Sequence, residues 1–383
     1  MKIVADANIP FVRECFGAVG DIEVVPGREI TPEVVADADA LLVRSITPVD
    51  EPLLSGSPVR FVGTATIGFD HIDLDYLECS AIGFASAPGS NANSAAEYII
   101  AGLLEVGRRH QLRLKGASIG VIGAGNVGSR VAAKCEALGM RVLRNDPPLR
   151  RHTGDPKYVP LDALCDCDFI TIHTPLTHEG VDKTHHLADE RFFASLKTGV
   201  VFLNASRGAV VDSQALKAAI RAGRLQATVL DVWEGEPVID VDLLERVDLG
   251  TPHIAGYSLD GKIGGMIMIY ESLCRHFGIA PRFEPADFLP AANVPHLALP
   301  ATEGDDEAAI AQTVATVYDI RRDDSNLRQV VEQPAGQRGG FFDTLRKTYP
   351  IRREFHNTTV VGEVSGALAA KLNGIGFQVE RMQ

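Results

Sequence analysis

The chain has 383 residues, of which 45% are apolar and 23% are charged. This composition excludes a disordered or fibrous protein and indicates a globular chain long enough for two or three domains. The formal net charge of −13 excludes broad binding to nucleic acid or to anionic membranes, which requires a basic face, but it does not exclude a local basic pocket.

The six cysteines form no CxxC pair and have no paired histidines nearby, so the sequence predicts neither a disulfide framework nor a metal site. The N-terminus, "MKIVADANIP", lacks the apolar stretch of a signal peptide. No run reaches the roughly 18 apolar residues of a membrane span. These features predict a cytoplasmic protein with no nucleic-acid partner and no membrane partner.

Short apolar runs rich in β-branched residues alternate with helix-compatible segments at the start of the chain. The predicted strands are "KIVAD", "ALLVRS", "RFVGTAT" and "GFASA". This alternation is typical of a parallel sheet covered by helices. The run "NSAAEYIIAGLLEVGRRH" then predicts a long helix that crosses into a second domain, with Ser94 and Glu97 at capping-box spacing.

A second series of strands follows this helix. The predicted strands are "SIGVIG", "RVLRND", "DFITIHTP", "GVVFLNAS" and "ATVLDVW". Helical patterns separate them, which predicts a second doubly wound unit. Prolines at 281, 285, 290, 295 and 300 predict an extended linker. The segments beyond the linker predict a small α+β domain.

The stretch "GVIGAGNVG" contains Gly123, Gly125 and Gly128 in GxGxxG spacing between a predicted strand and a predicted helix. In that context the glycines permit a tight turn, close approach of the backbone to a pyrophosphate, and close packing of helix on strand. We expect Asn126 and Val127 to offer backbone amides at the helix N-terminus. The sequence therefore predicts a dinucleotide-binding loop.

The next predicted strand ends at Asp146, 18 residues after Gly128. A carboxylate at this position accepts hydrogen bonds from the adenosine ribose and repels a 2′-phosphate, so the predicted cofactor is NAD. Arg144, Arg150 and Arg151 lie nearby and weaken the inference, because an arginine can accommodate the phosphate of NADP.

Polar side chains follow most strands of the second series, where ligands bind in open parallel sheets. They are Asp146, Thr174, Ser206, Arg207, Asp231 and His253. We expect Thr174 and Ser206 to contact the cofactor. A guanidinium at a strand end matches the two oxygens of a substrate carboxylate. The alternative for Arg207 is a local ion pair with Asp212.

His253 follows a proline, and Glu236 lies just before one in "DVWEGEP". A carboxylate beside a histidine fixes its tautomer and stabilises its charged form. This arrangement suits a group that takes a proton while a hydride leaves the substrate. The set of Arg207, Glu236 and His253 therefore predicts a dehydrogenase site.

The motifs "GVIGAGNVG", "NASRGAVVD", "DVWEGEP" and "TPHIAG" resemble the signatures of the NAD-dependent D-isomer-specific 2-hydroxyacid dehydrogenases, over residues 1 to about 280. The resemblance implies that Arg207 binds the carboxylate and the reacting oxygen, and that His253 is the acid/base with Glu236 as its partner. It also implies that Asp231 contacts the nicotinamide end of the cofactor.

The resemblance further implies that Ser45, Thr66 and Tyr257 bind substrate and that Gly256 binds the cofactor. The implied substrate is a four-carbon 2-hydroxy acid with a phosphate at its far end. Arg44 is our own addition to the substrate site, as a charge near that phosphate. The basic residues of the tail either reach the same phosphate or form a solvated face; they are Arg346, Lys347, Arg352 and Arg353.

The predicted fold is α/β, with two doubly wound parallel-sheet domains and a small C-terminal α+β domain. Residues 1–93 and 257–284 are assigned to a substrate-binding domain, 94–256 to a Rossmann NAD-binding domain, and 285–383 to a C-terminal domain that mediates a homodimer. Two alternatives stay open: a dehydrogenase for D-3-phosphoglycerate or another D-2-hydroxy acid, and an NAD(H)-sensing binding protein of the same fold.

Overall fold

The computed structural model describes residues 1–299 and 305–381. Its strands, in chain order, are β1 (Lys2–Asp6), β2 (Asp21–Val25), β3 (Ala40–Val43), β4 (Phe61–Thr64), β5 (Gly83–Ala85), β6 (Ser118–Ile122), β7 (Arg141–Asn145), β8 (Phe169–Ile172), β9 (Val200–Asn204), β10 (Leu225–Leu230), β11 (Leu249–Gly250), β12 (His296–Ala298), β13 (Thr359–Gly362) and β14 (Gln378–Arg381).

The α-helices, in chain order, are α1 (Val12–Phe16), α2 (Pro32–Val35), α3 (Glu51–Leu54), α4 (Leu74–Cys79), α5 (Ala92–His110), α6 (Asn126–Ala137), α7 (Pro147–Thr153), α8 (Glu190–Ser195), α9 (Ser213–Arg221), α10 (Val241–Arg246), α11 (Leu259–His276), α12 (Asp306–Val317), α13 (Ile320–Arg328), α14 (Arg338–Lys347) and α15 (Gly366–Ile375). Within the described ranges, no helix combines the length and the apolar character that crossing a membrane requires.

The chain divides into two compact units. The first comprises residues 1–91 and 258–291, and the second comprises residues 92–257 and 292–383. The C-terminal segment, for which the sequence predicts a domain of its own, is thus grouped with the second unit. The functional assignment of the domains stays a prediction.

The first unit contains a five-stranded parallel sheet with the order β2-β1-β3-β4-β5. Both faces of this sheet carry apolar side chains. Helices α1 and α11 cover one face, and α2, α3 and α4 cover the other. The sequence pattern did not predict β2. This strand lies at the sheet edge, its residues are exposed or half-buried, and Asp21 and Glu23 interrupt its apolar residues.

The second unit contains a six-stranded parallel sheet with the order β11-β10-β9-β8-β6-β7. The last residues of its strands are paired with one another in a single row: Asn145, Ile122, Ile172, Asn204, Leu230 and Gly250. The residues that follow these strands therefore emerge at one edge of the sheet. This register is what brings the predicted strand-end residues together.

The C-terminal segment adds a three-stranded parallel sheet, β12-β13-β14, with α15 connecting β13 to β14. In the described ranges its apolar residues form no core of their own. They join the core around α5 and α6, so that one cluster contains Ile99, Val131, Ile310 and Leu372. The predicted fold class of two doubly wound sheets with a small C-terminal sheet is confirmed.

Two local predictions need correction. Part of the predicted linker forms β12, which pairs with β13; Pro300 lies outside the described residues. The capping-box prediction is wrong because α5 begins at Ala92, which places Ser94 inside the helix.

The side chains of the expected capping box bind the C-terminal segment. Ser94 Oγ donates to Glu354 Oε1 at 2.9 Å, and the Phe355 amide donates to Glu97 Oε1 at 3.0 Å. Burial, with the Glu354 carboxylate nearby, raises the pKa of Glu97 to about 8. The start of α5 is therefore an attachment point for the tail.

Candidate active site

The glycine loop joins β6 to α6, and each glycine meets a different requirement. A Cβ on Gly123, whose φ is +82°, would lie 2.7 Å from the carbonyl oxygen of His173, and a Cβ on Gly128 would lie 1.9 Å from that of Gly123. A Cβ on Gly125 would meet no described atom within 4 Å. Packing thus demands Gly123 and Gly128, while Gly125 borders open space.

That open space lies at the N-terminus of α6, whose first residues are Asn126 and Val127. Backbone amides in the first turn of a helix have no intrahelical acceptor, and the helix dipole favours an anion there. The Thr174 hydroxyl, after β8, is buried and has no hydrogen-bond partner in the described chain. These features fit a bound dinucleotide.

Asp146 connects the glycine loop to the next helix. Its Oδ2 accepts from the Ala124 amide at 2.8 Å, and its Oδ1 accepts from the Leu149 amide at 2.9 Å, where it caps α7. Each carboxylate oxygen has a second lone pair, so Asp146 can still accept hydrogen bonds from ribose hydroxyls.

Two of the three arginines near Asp146 have acidic partners. Arg144 pairs with Glu136 at 2.8 Å, and Arg151 pairs with Asp182 through Nη1 at 3.0 Å. Arg150 is exposed. Because their charge is already compensated, Arg144 and Arg151 are poorly suited to the 2′-phosphate of NADP.

The turn after β9 is organised by Asn204. Its Oδ1 accepts from the amide and the hydroxyl of Ser206 at 3.0 and 2.8 Å, and its Nδ2 donates to the Arg207 carbonyl at 3.0 Å. Arg207 donates to the Ser206 carbonyl and has no acidic partner within 1–299 and 305–381. The alternative pair with Asp212 is not formed, because that carboxylate caps α9.

A chain of contacts brings the three predicted catalytic residues together. Gly208, next to Arg207, packs so closely that a Cβ there would lie 2.0 Å from the Trp233 carbonyl oxygen. The Trp233 amide donates to Glu236 Oε1 at 2.7 Å. Glu236 Oε2 lies 2.8 Å from His253 Nδ1.

His253 has one ring nitrogen, Nδ1, paired with Glu236, and its backbone is fixed by a hydrogen bond. Its backbone has a φ of +56°, which is uncommon for a residue with a side chain, and its amide donates to the Asp231 carbonyl at 2.7 Å. The side chain of His253 is 32% exposed, and Nε2 has no partner in the part of the chain described. When the ring is neutral, Glu236 keeps the proton on Nδ1, so the lone pair of Nε2 can accept a proton.

Asp231 is buried at the end of β10 and holds the loop that carries His253. Its Oδ1 accepts from the Thr251 hydroxyl at 2.6 Å and from the Ile254 amide at 2.8 Å, and its Oδ2 accepts from the Ala255 amide at 2.8 Å. The carboxylate therefore fixes residues on both sides of His253.

Gly256 and Tyr257 complete this loop. The Tyr257 amide donates to the Ile254 carbonyl at 2.8 Å, which closes a turn directly after His253. The Tyr257 ring meets Tyr349 edge-on, with the centroids 5.9 Å apart, and the Arg346 guanidinium lies 5.7 Å from the Tyr257 ring centroid. Tail residues thus border this end of the site.

In the first unit, the predicted substrate residues follow two neighbouring strands. Ser45 and Arg44 come after β3, where Ser45 is exposed and Arg44 donates to the Asn8 carbonyl at 3.2 Å. Thr66 comes after β4, and its hydroxyl donates to the Gly68 carbonyl at 2.9 Å. All three lie at the carboxyl edge of the first sheet.

Asn204 and Thr251 were not among the predicted site residues, yet they organise the turns that carry Arg207 and His253. Both are polar residues at the end of an apolar run, in "FLNAS" and "LGTP". The strand-end signal that identified their neighbours therefore also marks these two.

A histidine cluster lies beside the turn that follows Arg207, where the His186 amide donates to the Ala209 carbonyl at 2.9 Å. Ligand atoms of His185, His186 and Glu234 lie within 4.8 Å of one another. His186 Nε2 is 2.6 Å from Glu234 Oε1, and the Ser213 amide donates to Glu234 Oε2 at 3.2 Å. These bonds give the pair a role in fixing the start of α9, and the prediction of no metal site stays a prediction.

Comparisons with known proteins agree with this geometry. The family described as D-isomer specific 2-hydroxyacid dehydrogenase, NAD binding domain, matches residues 91–255, and a domain of unknown function matches 288–376. The solved D-lactate dehydrogenase of Aquifex aeolicus, complexed with NAD and lactic acid, has a TM-score of 0.60 and 27% identity. The match covers 73% of this chain and 96% of the D-lactate dehydrogenase chain.

The NAD-bound 3-phosphoglycerate dehydrogenase of Entamoeba histolytica has a TM-score of 0.61 and 26% identity, covering 73% of this chain and 95% of its own. The fold, the glycine loop and these matches define an NAD-dependent oxidoreductase of the D-isomer-specific 2-hydroxyacid dehydrogenase class. Both structures leave part of this chain unmatched.

Longer matches come from erythronate-4-phosphate dehydrogenases. That of Salinibacter ruber is 48% identical over 375 residues, with 94% of each chain covered. That of Cronobacter sakazakii is 44% identical over 378 residues, with 98% of each chain covered. The chain belongs to the erythronate-4-phosphate dehydrogenase family.

Proposed function

We propose that the chain oxidises 4-phospho-D-erythronate to (R)-3-hydroxy-2-oxo-4-phosphooxybutanoate with NAD, as a step of pyridoxal 5′-phosphate biosynthesis. The observation that carries the reaction is the His253–Glu236 pair, with Nδ1 and Oε2 2.8 Å apart and Nε2 left for a substrate proton. The names of the full-length relatives support the substrate.

Bound NAD supplies the acceptor for the hydride that leaves C2 of the substrate. His253 Nε2 takes the proton of the C2 hydroxyl, so the C–H and O–H bonds break as the carbonyl forms. Glu236 stabilises the imidazolium, and Arg207 binds the carboxylate through both oxygens. Asp231 keeps the His253 loop in place. Orientation and charge stabilisation then provide most of the rate enhancement.

The proposed cofactor contacts follow from the features of the second unit. The open space at Gly125 and the unpartnered Thr174 hydroxyl support them. The Ser206 hydroxyl already donates to Asn204, so it can serve the cofactor only as an acceptor. The full proposed set is Gly123, Gly125, Asn126, Val127, Gly128, Asp146, Thr174, Ser206, Asp231 and Gly256.

The proposed substrate contacts are Ser45, Thr66, Tyr257 and Arg44. For Ser45, Thr66 and Arg44, the support is their position after β3 and β4, at the edge of a parallel sheet where ligands bind. For Tyr257, the support is that it closes the turn that begins directly after His253.

The test with 4-phosphoerythronate has two arms. Single-turnover NADH formation is measured without a 2-oxo acid, and steady-state formation of the oxidised product is measured with a 2-oxo acid present to reoxidise retained cofactor. 3-Phosphoglycerate and unphosphorylated erythronate are the comparators. We expect turnover on the phosphorylated four-carbon acid and its loss in His253→Ala. Preferential turnover of 3-phosphoglycerate would favour the phosphoglycerate alternative. NAD binding without turnover on any of these acids would favour the sensing protein.

The homodimer and the cytoplasmic location are also proposals. A groove of about 720 Å³ between α5 and α12, lined in part by Leu104, Leu112 and Val314, supports a subunit interface that includes the C-terminal segment. The six cysteines are free, which supports a reducing compartment. Sedimentation velocity of the full chain at micromolar concentration would contradict the dimer if it gave a monomer.

A further inference from the structure

Arg346 of the tail places a positive charge beside the His253 loop. Arg346 lies in the last turn of α14 and is half-buried, and its Nε is fully buried without a hydrogen-bond partner in residues 1–299 and 305–381. No acidic side chain described here pairs with its guanidinium. Its near neighbour is the ring of Tyr257, 5.7 Å from the guanidinium carbon.

The structure separates Arg346 from the other basic residues of the tail. Arg352 is buried and donates to the carbonyls of Ser94 and Ala255. Arg353 is buried and donates to Asn357 Oδ1 at 2.7 Å. Nε and Nη1 of Arg352 are also buried without a partner in the described residues, but the Arg352 guanidinium lies over the Tyr318 ring, 4.4 Å from its centroid. The basic cluster of the sequence is therefore not a single solvated face, and Arg346 is the member whose guanidinium lies beside the Tyr257 ring.

A half-buried guanidinium without a counter-charge loses solvation and gains little in return. The Tyr257 ring offsets part of this cost through its π face. An anion that binds beside Tyr257 would offset more, because the guanidinium forms two parallel hydrogen bonds to phosphate or carboxylate oxygens. The arrangement therefore fits an anionic ligand.

We propose that Arg346 binds the phosphate group of the substrate, an inference that rests on the proposed function. The substrate has two anionic ends, and the carboxylate is bonded directly to the carbon that reacts at His253, where Arg207 is proposed to bind it. The phosphate lies two carbons beyond the reacting carbon. Tyr257 closes the turn that follows His253, and Arg346 lies beside its ring, so the proposal assigns the far end of the substrate to Arg346.

The matched test compares Arg346→Gln with Arg322→Gln, the same loss of charge at an exposed arginine of α13 in the same tail. We expect R346Q to raise KM for 4-phosphoerythronate about 10- to 100-fold, as for lost hydrogen bonds to a charged group. The kcat/KM for unphosphorylated erythronate should stay at the wild-type value. Arg346→Lys should give an intermediate KM, because a lysine keeps the charge but lacks the planar fork.

R322Q should match the wild type for both acids. An equal loss of kcat/KM for erythronate and 4-phosphoerythronate in R346Q would overturn the proposal, since Arg346 would then only support the loop. An unchanged KM for 4-phosphoerythronate would also overturn it. If R346Q does not fold, R346K is tested in the same way. A higher KM for 4-phosphoerythronate with an unchanged kcat/KM for erythronate would support the proposal, and any other result would overturn it.

A second readout is independent of turnover. Inorganic phosphate, added to the NAD-loaded full chain, should raise the Tm of the wild type and R322Q but not that of R346Q. Equal Tm shifts in all three, or no shift in the wild type, would overturn the phosphate site. A wild type that responds to phosphate but turns over no acid would refute the proposed function while leaving the phosphate site supported.

Discussion

Replacing Glu236 by glutamine tests the role of His253 because it removes a charge while keeping the side-chain shape. Glu236 Oε1 accepts from the Trp233 amide at 2.7 Å, and Oε2 lies 2.8 Å from His253 Nδ1. The Trp233 amide can only donate, so the oxygen of the glutamine stays with it and the NH₂ group faces His253. Neutral His253 must then accept at Nδ1 and carry its proton on Nε2.

The magnitude follows from these two hydrogen bonds. Turning the amide to restore the productive tautomer would leave the Trp233 amide facing another donor, which costs about 1–3 kcal/mol. Loss of the charged hydrogen bond to the imidazolium costs a further ~1.5–3 kcal/mol. Together these losses predict that E236Q lowers kcat about 10²- to 10⁴-fold.

The assay is NADH formation, combined with nitrogen-15 NMR of the His253 ring at a pH where the ring is neutral. Glu234→Gln is the matched control, because Glu234 also accepts from a backbone amide and pairs with a histidine, His186. We expect E234Q to turn over like the wild type. An E236Q enzyme with wild-type turnover, or one whose His253 proton stays on Nδ1, would refute the reasoning.

Three further predictions concern glycines of the site loops and the half-buried His173. Gly208→Ala places a Cβ 2.0 Å from the Trp233 carbonyl oxygen, so we expect a lower Tm in calorimetry and slower NADH formation. Gly128→Ala should lower both Tm and NAD affinity, whereas Gly125→Ala, with open space around its Cβ, should weaken only NAD affinity in calorimetric titration. Burial lowers the pKa of His173 from 6.5 to about 3, so the unfolded chain binds a proton that the folded protein excludes. The free energy of unfolding should therefore fall by up to about 2 kcal/mol from pH 6.5 to pH 5, relative to His173→Gln; identical pH dependence in urea melts would contradict this.

The sequence predicted much of the second unit because its signals are local. Each central strand is an apolar run, and parallel strands paired in register end in one row. Residues directly after those runs, such as Arg207, Asp231 and His253, must then emerge at the same edge. Strands β2 and β11 escaped prediction because β2 has no continuous apolar run and β11 has only two residues.

The charged residues of the tail show what a local pattern cannot reveal. Ser94 and Glu97 have the spacing of a helix cap, and Arg352 and Arg353 belong to a basic cluster for which a solvated face was one interpretation. In the structure Ser94 and Glu354 bond to each other across 260 residues of sequence. Burial of these charges depends on partners that sequence spacing does not identify.

The same long-range bonds make the tail part of the support for the His253 loop. The Ala255 amide donates to Asp231, and the Ala255 carbonyl accepts from Arg352 of the tail. One apolar core also contains residues of both regions, so deleting residues 292–383 would expose that core and release this carbonyl. Loss of activity on truncation would therefore not demonstrate that activity needs a dimer. Substitutions along the groove between α5 and α12, made in the full chain, would disrupt a dimer without removing the bonds that the tail makes to the His253 loop. Activity and oligomeric state measured in such variants would therefore show whether activity needs the dimer.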